Sequence, residues 1–382
     1  MKFFHLSDLH IGLKLMNRDL REDQEHILRQ VAELAAREQP DAVVLAGDIY
    51  DKAVPSAEAV EVFDHFMTAL AEAVPHAEIM AISGNHDSAP RVNVFRNVLK
   101  RQGIHMIGLP PRTEEDHIEK VTLTDAYGAV NFYLLPFVKP SMVRAVVGAE
   151  EDDGSLSYND ALHRLMERET IDGKERNVLV SHQFYLPAGV DAADVERMDS
   201  EIRTVGNIDE VKADLLEPFD YAALGHIHKP MKVGKENFRY SGTPLACSVS
   251  EAGQKKGVLM VELAEKGTVK IATLPLEPLR DVCVIRGNLE EVLKQECEDY
   301  VTVILTDRED LDVIDMQDRI RSAFPNLLEI RREIQRGADY SRQETPMEDL
   351  QPFDLICSFL KDLDQEEKEL VRDVLHAVQG VK

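Results

Sequence analysis

Short apolar runs alternate with longer amphipathic stretches through the first hundred residues. Lys2–Leu6 reads as a buried strand. From about Asp19 to Arg37, Ile27, Leu28, Val31, Leu34 and Ala35 recur at three- and four-residue spacing, which predicts a helix with one apolar face. Asp41–Ala46 is a β-branched run that stops at Gly47. Ser56–Val74 returns to helical spacing with Val60, Phe63, Phe66, Met67 and Leu70, and Glu78–Ile82 is a third strand ending at Ser83-Gly84. A further helix is expected at about 90–101. This alternation is the pattern of a layered α/β core. Polar residues gather just after each strand, where open α/β sheets place their ligand sites.

Further strands are expected at Val121–Leu123, Val130–Leu135, Asn177–Ser181 and Tyr221–Leu224. A β-rich stretch follows from Met231 to Leu274, with turns at Gly234, Gly242 and Gly253. Prolines at 275 and 278 mark a boundary. Beyond it, Leu279 to Ile334 reads strand, helix, strand, helix, strand, which suits a small α/β cap domain. The expected division is 1–275 for the main domain, 276–336 for the cap, 337–352 for a polar linker and 353–382 for a pair of C-terminal helices. The first of these helices carries Phe353, Ile356, Phe359 and Leu360. The second carries Leu370, Val371, Val374, Leu375 and Val378, with Asp364 and Glu367 placed as a capping box. Two short amphipathic helices bury little alone, so the pair is expected either to pack on its own body or to dock in a partner's groove.

Hydrophobic residues make up 44% of the 382 positions, ample for a packed core. No apolar run approaches the length of a membrane span, and the N-terminal run is too short for a signal peptide. Cys247, Cys283, Cys297 and Cys357 are widely spaced and read as small core residues in a reducing cytoplasm. The formal charge is −26. That excludes a histone-like protein that neutralises phosphate with its own cations. It does not exclude an enzyme that acts on phosphates through metal.

Five motifs carry the chemistry. They are Asp8-Leu9-His10, Gly47-Asp48-Ile49-Tyr50-Asp51, Gly84-Asn85-His86-Asp87, Ser181-His182 and Gly225-His226-Ile227-His228. Each follows an expected buried strand. Singly they are unremarkable: a Gly-Asp is often a turn, and alternate histidines on a strand can share a solvent face. Jointly they line one pocket with imidazole, carboxylate and amide oxygen. That donor set, lacking thiolate, suits manganese or iron, with zinc or magnesium compatible. Seven candidate ligands are too many for one ion with room for water and substrate. Two ions sharing a carboxylate fit the count and are a recurrent phosphoester-cleaving device.

In this order the motifs resemble the signature of the calcineurin-like metallophosphoesterase family: D-x-H, G-D-x-x-D, G-N-H-D, a later lone H, and G-H-x-H. The stretches 5–12, 47–51, 84–88 and 240–245 (Tyr-Ser-Gly-Thr-Pro-Leu) are similar to its bacterial DNA-nuclease branch. The resemblance implies a β-sandwich flanked by helices, bearing the cap and the helix pair. It implies that Asp8, His10 and His228 hold a first metal, that Asn85, His182 and His226 hold a second, and that Asp48 bridges them, with Mn²⁺ the expected ion. His86 would face the scissile phosphate. Asp51 and Asp87 would support the loops rather than ligate. Asp51 stands where archaeal and eukaryotic relatives often have His, which leaves His86 as the motif histidine free for catalysis.

The implied activity is hydrolysis of DNA phosphodiesters. It comprises ATP-dependent 3′→5′ exonuclease action on duplex ends and endonuclease action on single strands or hairpins. The implied partners are DNA, a coiled-coil ATPase bound through the C-terminal helices, and a second copy met through the helices at 56–74 and 90–101. Lys14 and Arg18, after the first motif, are candidate contacts to a DNA backbone. Two rival readings share the motifs: a phosphodiesterase of small substrates, and a scaffold subunit without activity. The extra cap and helices disfavour the first, and the intact ligand positions disfavour the second.

Overall fold

The computed structural model describes residues 1–148, 156–187, 189–190, 195, 198–201, 209–307, 313–333, 353 and 365–379. It divides into two compact units, Met1–Glu333 and Ile334–Lys382.

The first unit is built on two six-stranded sheets. In the first sheet, Lys2–Leu6 lies between the antiparallel strand Gly257–Leu263 and the parallel strand Ala42–Ala46. Glu78–Ile82 and Ile104–Ile107 continue the parallel direction. In the second sheet, Gly128–Leu135, Arg176–His182, Tyr221–Gly225 and Lys235–Tyr240 run parallel.

The two-residue period of a strand explains why these runs are apolar throughout. Phe3, Val44, Met80 and Ile82 turn inward and meet Phe132, Val178, Val180 and Tyr221 of the other sheet. Their neighbours Phe4, Val43, Leu45 and Ile79 turn outward onto the helices Arg21–Glu38 and Ala57–Ala73. On the opposite outer face, Tyr133, Leu135, Leu179 and Leu224 pack with Val143, Leu162 and Leu165, from the helices Pro140–Val147 and Tyr158–Glu167. The result is a helix, sheet, sheet, helix sandwich, the fold class implied by the motifs. Ser56 caps the helix Ala57–Ala73 by accepting from the Ala59 N–H. His5 joins the sheets from within: it is fully buried, with Nδ1 3.0 Å from the Tyr221 hydroxyl and Nε2 3.2 Å from the Leu224 carbonyl.

One expected helix is interrupted. The span 90–101 is broken into Ala89–Val92, Arg96–Leu99 and a 3-10 turn at Lys100–Gln102. Phe95 takes a left-handed φ of 59° at the break. The Asn93 side chain accepts from the Gly108 N–H, which holds the first piece against the loop after Ile104–Ile107. Local apolar spacing cannot register that tether.

Residues 282–332 form a small parallel sheet of Val282–Gly287, Tyr300–Leu305 and Leu327–Arg332. The helices Leu289–Val292 and Val313–Ala323 complete it, and Asn288 and Glu291 make a capping box on the first. This sheet is tied to the helix Arg21–Glu38 through Asp23, a fully buried carboxylate. Asp23 accepts from Arg280 at 2.8 and 3.0 Å and from the Tyr300 hydroxyl at 2.8 Å.

In the second unit the described part is the helix Gln365–Gln379, with Leu370 64% and Val374 55% exposed. The Arg372 guanidinium lies 4.6 Å from the Phe353 ring centroid. The expected linker, most of the first C-terminal helix, Asp364 and Cys357 lie outside the described residues. No described helix is long and apolar enough to cross a membrane.

Candidate metal centre

The parallel strands of both sheets deliver their carboxyl ends to one edge, and all five motifs sit there. Three loops come from the first sheet. Asp8 and His10 follow Lys2–Leu6, Asp48 follows Ala42–Ala46, and Asn85 and His86 follow Glu78–Ile82. The backbone of these loops is strained, with φ of 54° at Asp8, 43° at His10 and 50° at Asp48. Hydrogen bonds between loops hold that geometry: Asp8 N–H to Gly47 O (2.9 Å), His10 N–H to Asp48 O (3.0 Å) and Ile11 N–H to Ile49 O (2.9 Å). Asp87 clamps the third loop to the second, accepting from the N–H groups of Ile49, Tyr50 and Gly84 at 3.1, 3.0 and 2.8 Å. Gly84 has no substitute, because a Cβ there would stand 2.1 Å from Asp48 Oδ1.

The second sheet supplies His182, at the end of Arg176–His182, and His226 and His228, just after Tyr221–Gly225. His182 Nδ1 donates to the Ala46 carbonyl at 2.8 Å, so its Nε2 faces the cluster, 3.0 Å from Asn85 Oδ1 and 3.2 Å from Asp48 Oδ2. The His226 backbone N–H donates to Asp8 at 3.1 Å, and its Nδ1 lies 2.9 Å from Asn85 Oδ1. His228 Nε2 is 3.1 Å from His10 Nε2. Asp48 Oδ2 also lies 3.7 Å from His10 Nε2, so it reaches both groups of imidazoles.

The donor set fits divalent cations. Asp8 and Asp48 are buried, and the ion pairs described for them are with histidines. Burial pushes Asp8 up to about 6, with His182 and His228 working against that rise. Burial opposes ionisation of Asp48 too, but His182 and His10 overcome it and hold its carboxyl below the usual range. Burial likewise opposes charge on His182, which Asp48 and Asp8 nevertheless raise to about 9. His10 is held well below its ordinary value by burial and by His228. Two buried carboxylates facing crowded imidazoles call for more positive charge than histidine provides, and a cation meets that need. Asp8, His10 and His228 place ligand atoms within 4.8 Å of one another, as do Asp8, Asp48 and His182.

His86 stands at the rim, half-buried. Its backbone N–H donates to Asp48 Oδ1 at 2.8 Å, and its Nδ1 donates to the Asp51 carbonyl at 2.9 Å. Its ring meets His10 edge-on at 4.7 Å. Asp51 Oδ1 lies 4.0 Å from His10 Nδ1. Lys14 is exposed on a short hairpin and borders a cleft of about 530 Å³ that reaches Asp51. Arg18 donates from Nη2 to the carbonyls of Pro325 and Leu327, both at 3.3 Å, and so ties the hairpin to the small sheet.

Sequence reasoning passed over two sets of residues. Phe137 stacks on His226 (18° between rings, 6.4 Å) and meets His182 edge-on, walling that side of the cluster. Glu251 and Ser200 lie behind His228. The 240–245 motif was the available signal, since Thr243 donates to Glu251.

This fold, with these side chains at its strand ends, defines a metal-dependent phosphoesterase. The family model described as calcineurin-like phosphoesterase matches residues 1–230. A second, described as the type 5 capsule protein repressor C-terminal domain, matches 278–363. Among curated relatives, the SbcD subunit of the SbcCD nuclease of Staphylococcus epidermidis is 30% identical over 335 residues, covering 86% of this chain and 84% of that one. Its namesake in Staphylococcus saprophyticus is 33% identical over 303 residues, covering 78% and 75%. A solved dimetal phosphatase from Danio rerio aligns with a TM-score of 0.42 at 16% identity, over 72% of this chain and 99% of that one, and adds nothing to the assignment. The chain belongs to the calcineurin-like phosphoesterase family and, within it, to the SbcD family of nuclease subunits.

Proposed function

We propose that this chain is a DNA nuclease subunit that hydrolyses phosphodiester bonds with two divalent ions, Mn²⁺ in the first instance. The observation that carries this reading is the convergence of seven donors from two sheets on one strand-end edge. Asp8, His10 and His228 would hold one ion, Asn85, His182 and His226 the other, and Asp48 would serve both. When bound, the ions supply charge neutralisation at the phosphate and acidify water for in-line attack.

The chain's own residues do the rest. The three stitched loops preset the carboxylates. Phe137 excludes water beside His182 and His226. His86, anchored through Nδ1 to the Asp51 carbonyl, presents Nε2 to the leaving oxygen as proton donor or charge stabiliser. Asp51 and Asp87 hold the loops.

Within the SbcD family reading, the partner is the SbcC coiled-coil ATPase. It docks on the segment 353–382, where the helix Gln365–Gln379 exposes Leu370 and Val374 as an apolar stripe. With it, the expected activities are ATP-dependent 3′→5′ exonuclease action on duplex ends and endonuclease action on single strands and hairpins, in cytoplasmic DNA repair and recombination. Residues 1–275 form the nuclease domain, 276–336 the cap that meets DNA and 337–352 the linker. A homodimer, giving a heterotetramer with SbcC, is supported by an apolar surface of Val60, Val94, Phe95 and Val98, with Phe95 74% exposed. Lys14 is the first candidate for a DNA-backbone contact. Arg18 is the second, since its guanidinium already serves the small sheet.

The charge of −26 bears on how DNA is held. The subunit alone is expected to bind duplex weakly and with strong salt sensitivity, much of the affinity coming from dimerisation and the partner. The deciding assay gives the purified chain Mn²⁺ and end-labelled duplex, with and without SbcC, beside a chromogenic phosphodiester. Degradation of DNA supports the proposal. Turnover of the small ester alone indicates a small-substrate enzyme, and turnover of neither with metal bound indicates a scaffold.

A further inference from the structure

Glu251 ends the 3-10 turn Val249–Glu251 and is buried to 1% exposure. Its Oε2 accepts from Lys256 Nζ at 2.6 Å and Thr243 Oγ1 at 2.8 Å. Its Oε1 accepts from the Cys247 N–H at 3.2 Å, Ser248 Oγ at 3.1 Å and Ser200 Oγ at 2.9 Å. The Lys256 ammonium compensates the carboxylate, which a dry site requires.

An ionised carboxylate only accepts hydrogen bonds, and a serine hydroxyl has one proton to give. The proton of Ser200 therefore goes to Glu251, the other oxygen in reach, Ser248 Oγ, being farther at 3.4 Å. Ser200 Oγ also lies 2.7 Å from His228 Nδ1, and with its proton committed it can only accept there. Nδ1 must then carry a proton, so that in the neutral imidazole Nε2 keeps its lone pair. That Nε2 is the atom 3.1 Å from His10 Nε2. The Nδ1 to Oε1 distance is 3.6 Å, so the hydroxyl stands between them as a relay. His182 is oriented more simply, its Nδ1 donating to the Ala46 carbonyl so that Nε2 is the nitrogen turned to the cluster.

We propose that Glu251 is a positioning residue that acts through the Ser200 hydroxyl to fix the His228 proton on Nδ1, leaving Nε2 to hold a divalent cation. The inference rests on the two-ion reading of the site, and it concerns groups that no motif names. Metal-bound histidines commonly need such a partner on the outer nitrogen, and its loss weakens metal binding by about 10–100-fold. Neutral glutamine at 251 replaces a group that can only accept with an amide that can also donate. The Ser200 proton is then free to turn toward Nδ1 and move the imidazole proton to Nε2.

The test uses the full chain and two variants. E251Q/K256M removes both charges, so that no ammonium is left unpaired, and S200A cuts the relay while keeping the Glu251–Lys256 pair. Imidazole ¹⁵N NMR of the metal-free protein, taken at a pH where the His228 imidazole is neutral, reads the tautomer, and calorimetry with Mn²⁺ reads each ion's affinity. In the natural chain the Nδ1–H tautomer of His228 and two bound ions are expected. E251Q/K256M is expected to shift the tautomer and to bind one ion about 10–100-fold more weakly, the other unchanged. S200A is expected to show a smaller loss at the same ion, because Oε1 remains near Nδ1. An Nε2–H tautomer in the natural chain overturns the proposal. So do unchanged affinities in both variants, or equal weakening of both ions together with a lowered melting temperature, which marks a role in stability alone. If the natural chain binds no Mn²⁺, the two-ion reading fails, and the NMR signal still decides the relay by itself.

Discussion

The two sheets contribute to one cluster in different ways. The first sheet's candidate ligands sit on three loops stitched to each other, backbone to backbone, with Asp87 as a clamp. The second sheet's histidines are held by partners remote in sequence: the Ala46 carbonyl behind His182, Asn85 beside His226, and Ser200 with Glu251 behind His228. The first half is thus a geometry made by neighbouring strand ends. The second exists only when the sheets are stacked, and it is the more exposed to changes far from the centre.

The largest expected effect comes from Asp48, which reaches both halves. Asp48→Asn is expected to lower Mn²⁺-dependent hydrolysis by at least about 10³-fold, since metal charge stabilisation is worth several kcal/mol. Calorimetry should show weaker binding of both ions, whereas loss of one alone would mean that the halves do not share the carboxylate. His86→Gln is expected to cost about 10²–10⁴-fold in rate with both ions still bound. Full activity of the metal-loaded variant would remove His86 from the chemistry.

His5 sits at the join between the two sheets. Burial holds His5 neutral, lowering it from its ordinary value to about 3, although the Leu224 carbonyl favours its charge. In the unfolded chain it takes up its proton near pH 6.5. The unfolded state therefore binds more protons between these values, and stability falls as pH drops from about 6.5 toward 3. The contribution is about 3 kcal/mol lost by pH 4. Denaturant melts across this range should show the slope, and His5→Gln should flatten it; an unchanged slope would place the acid sensitivity elsewhere.

The smallest effect is expected from Asp87→Asn. One amide oxygen cannot accept from all the donors that two carboxylate oxygens serve, so about 1–2 kcal/mol of stability should be lost. Metal binding should weaken only modestly. A loss as large as that of Asp48→Asn would make Asp87 part of the centre rather than its clamp.

Much of this architecture was legible before any coordinates. The alternation of apolar runs and amphipathic stretches marked the strands and helices of the layered core, because burial on both faces leaves a strand such as Ala42–Ala46 no polar position. The motifs marked the ends of those strands, because ligand chemistry demands carboxylate, imidazole and amide oxygen. The interrupted helix near Phe95 was not legible, since Asn93, beside the break, is tethered to Gly108 of another loop. Nor was the second task of Arg18, whose acceptors lie some three hundred residues away.

Sequence by itself therefore determined the composition of the centre: which residue types, in which order, each after a buried strand. Only the tertiary structure decided how they meet. It put His182 against Ala46, brought His228 to His10, and placed Glu251 behind Ser200. The physical reason is range. Periodicity and motif spacing record what a residue needs from its immediate neighbours and from solvent. The direction of a lone pair is set by whichever donor or acceptor the folded chain brings within about 3 Å, and that partner can stand anywhere along it.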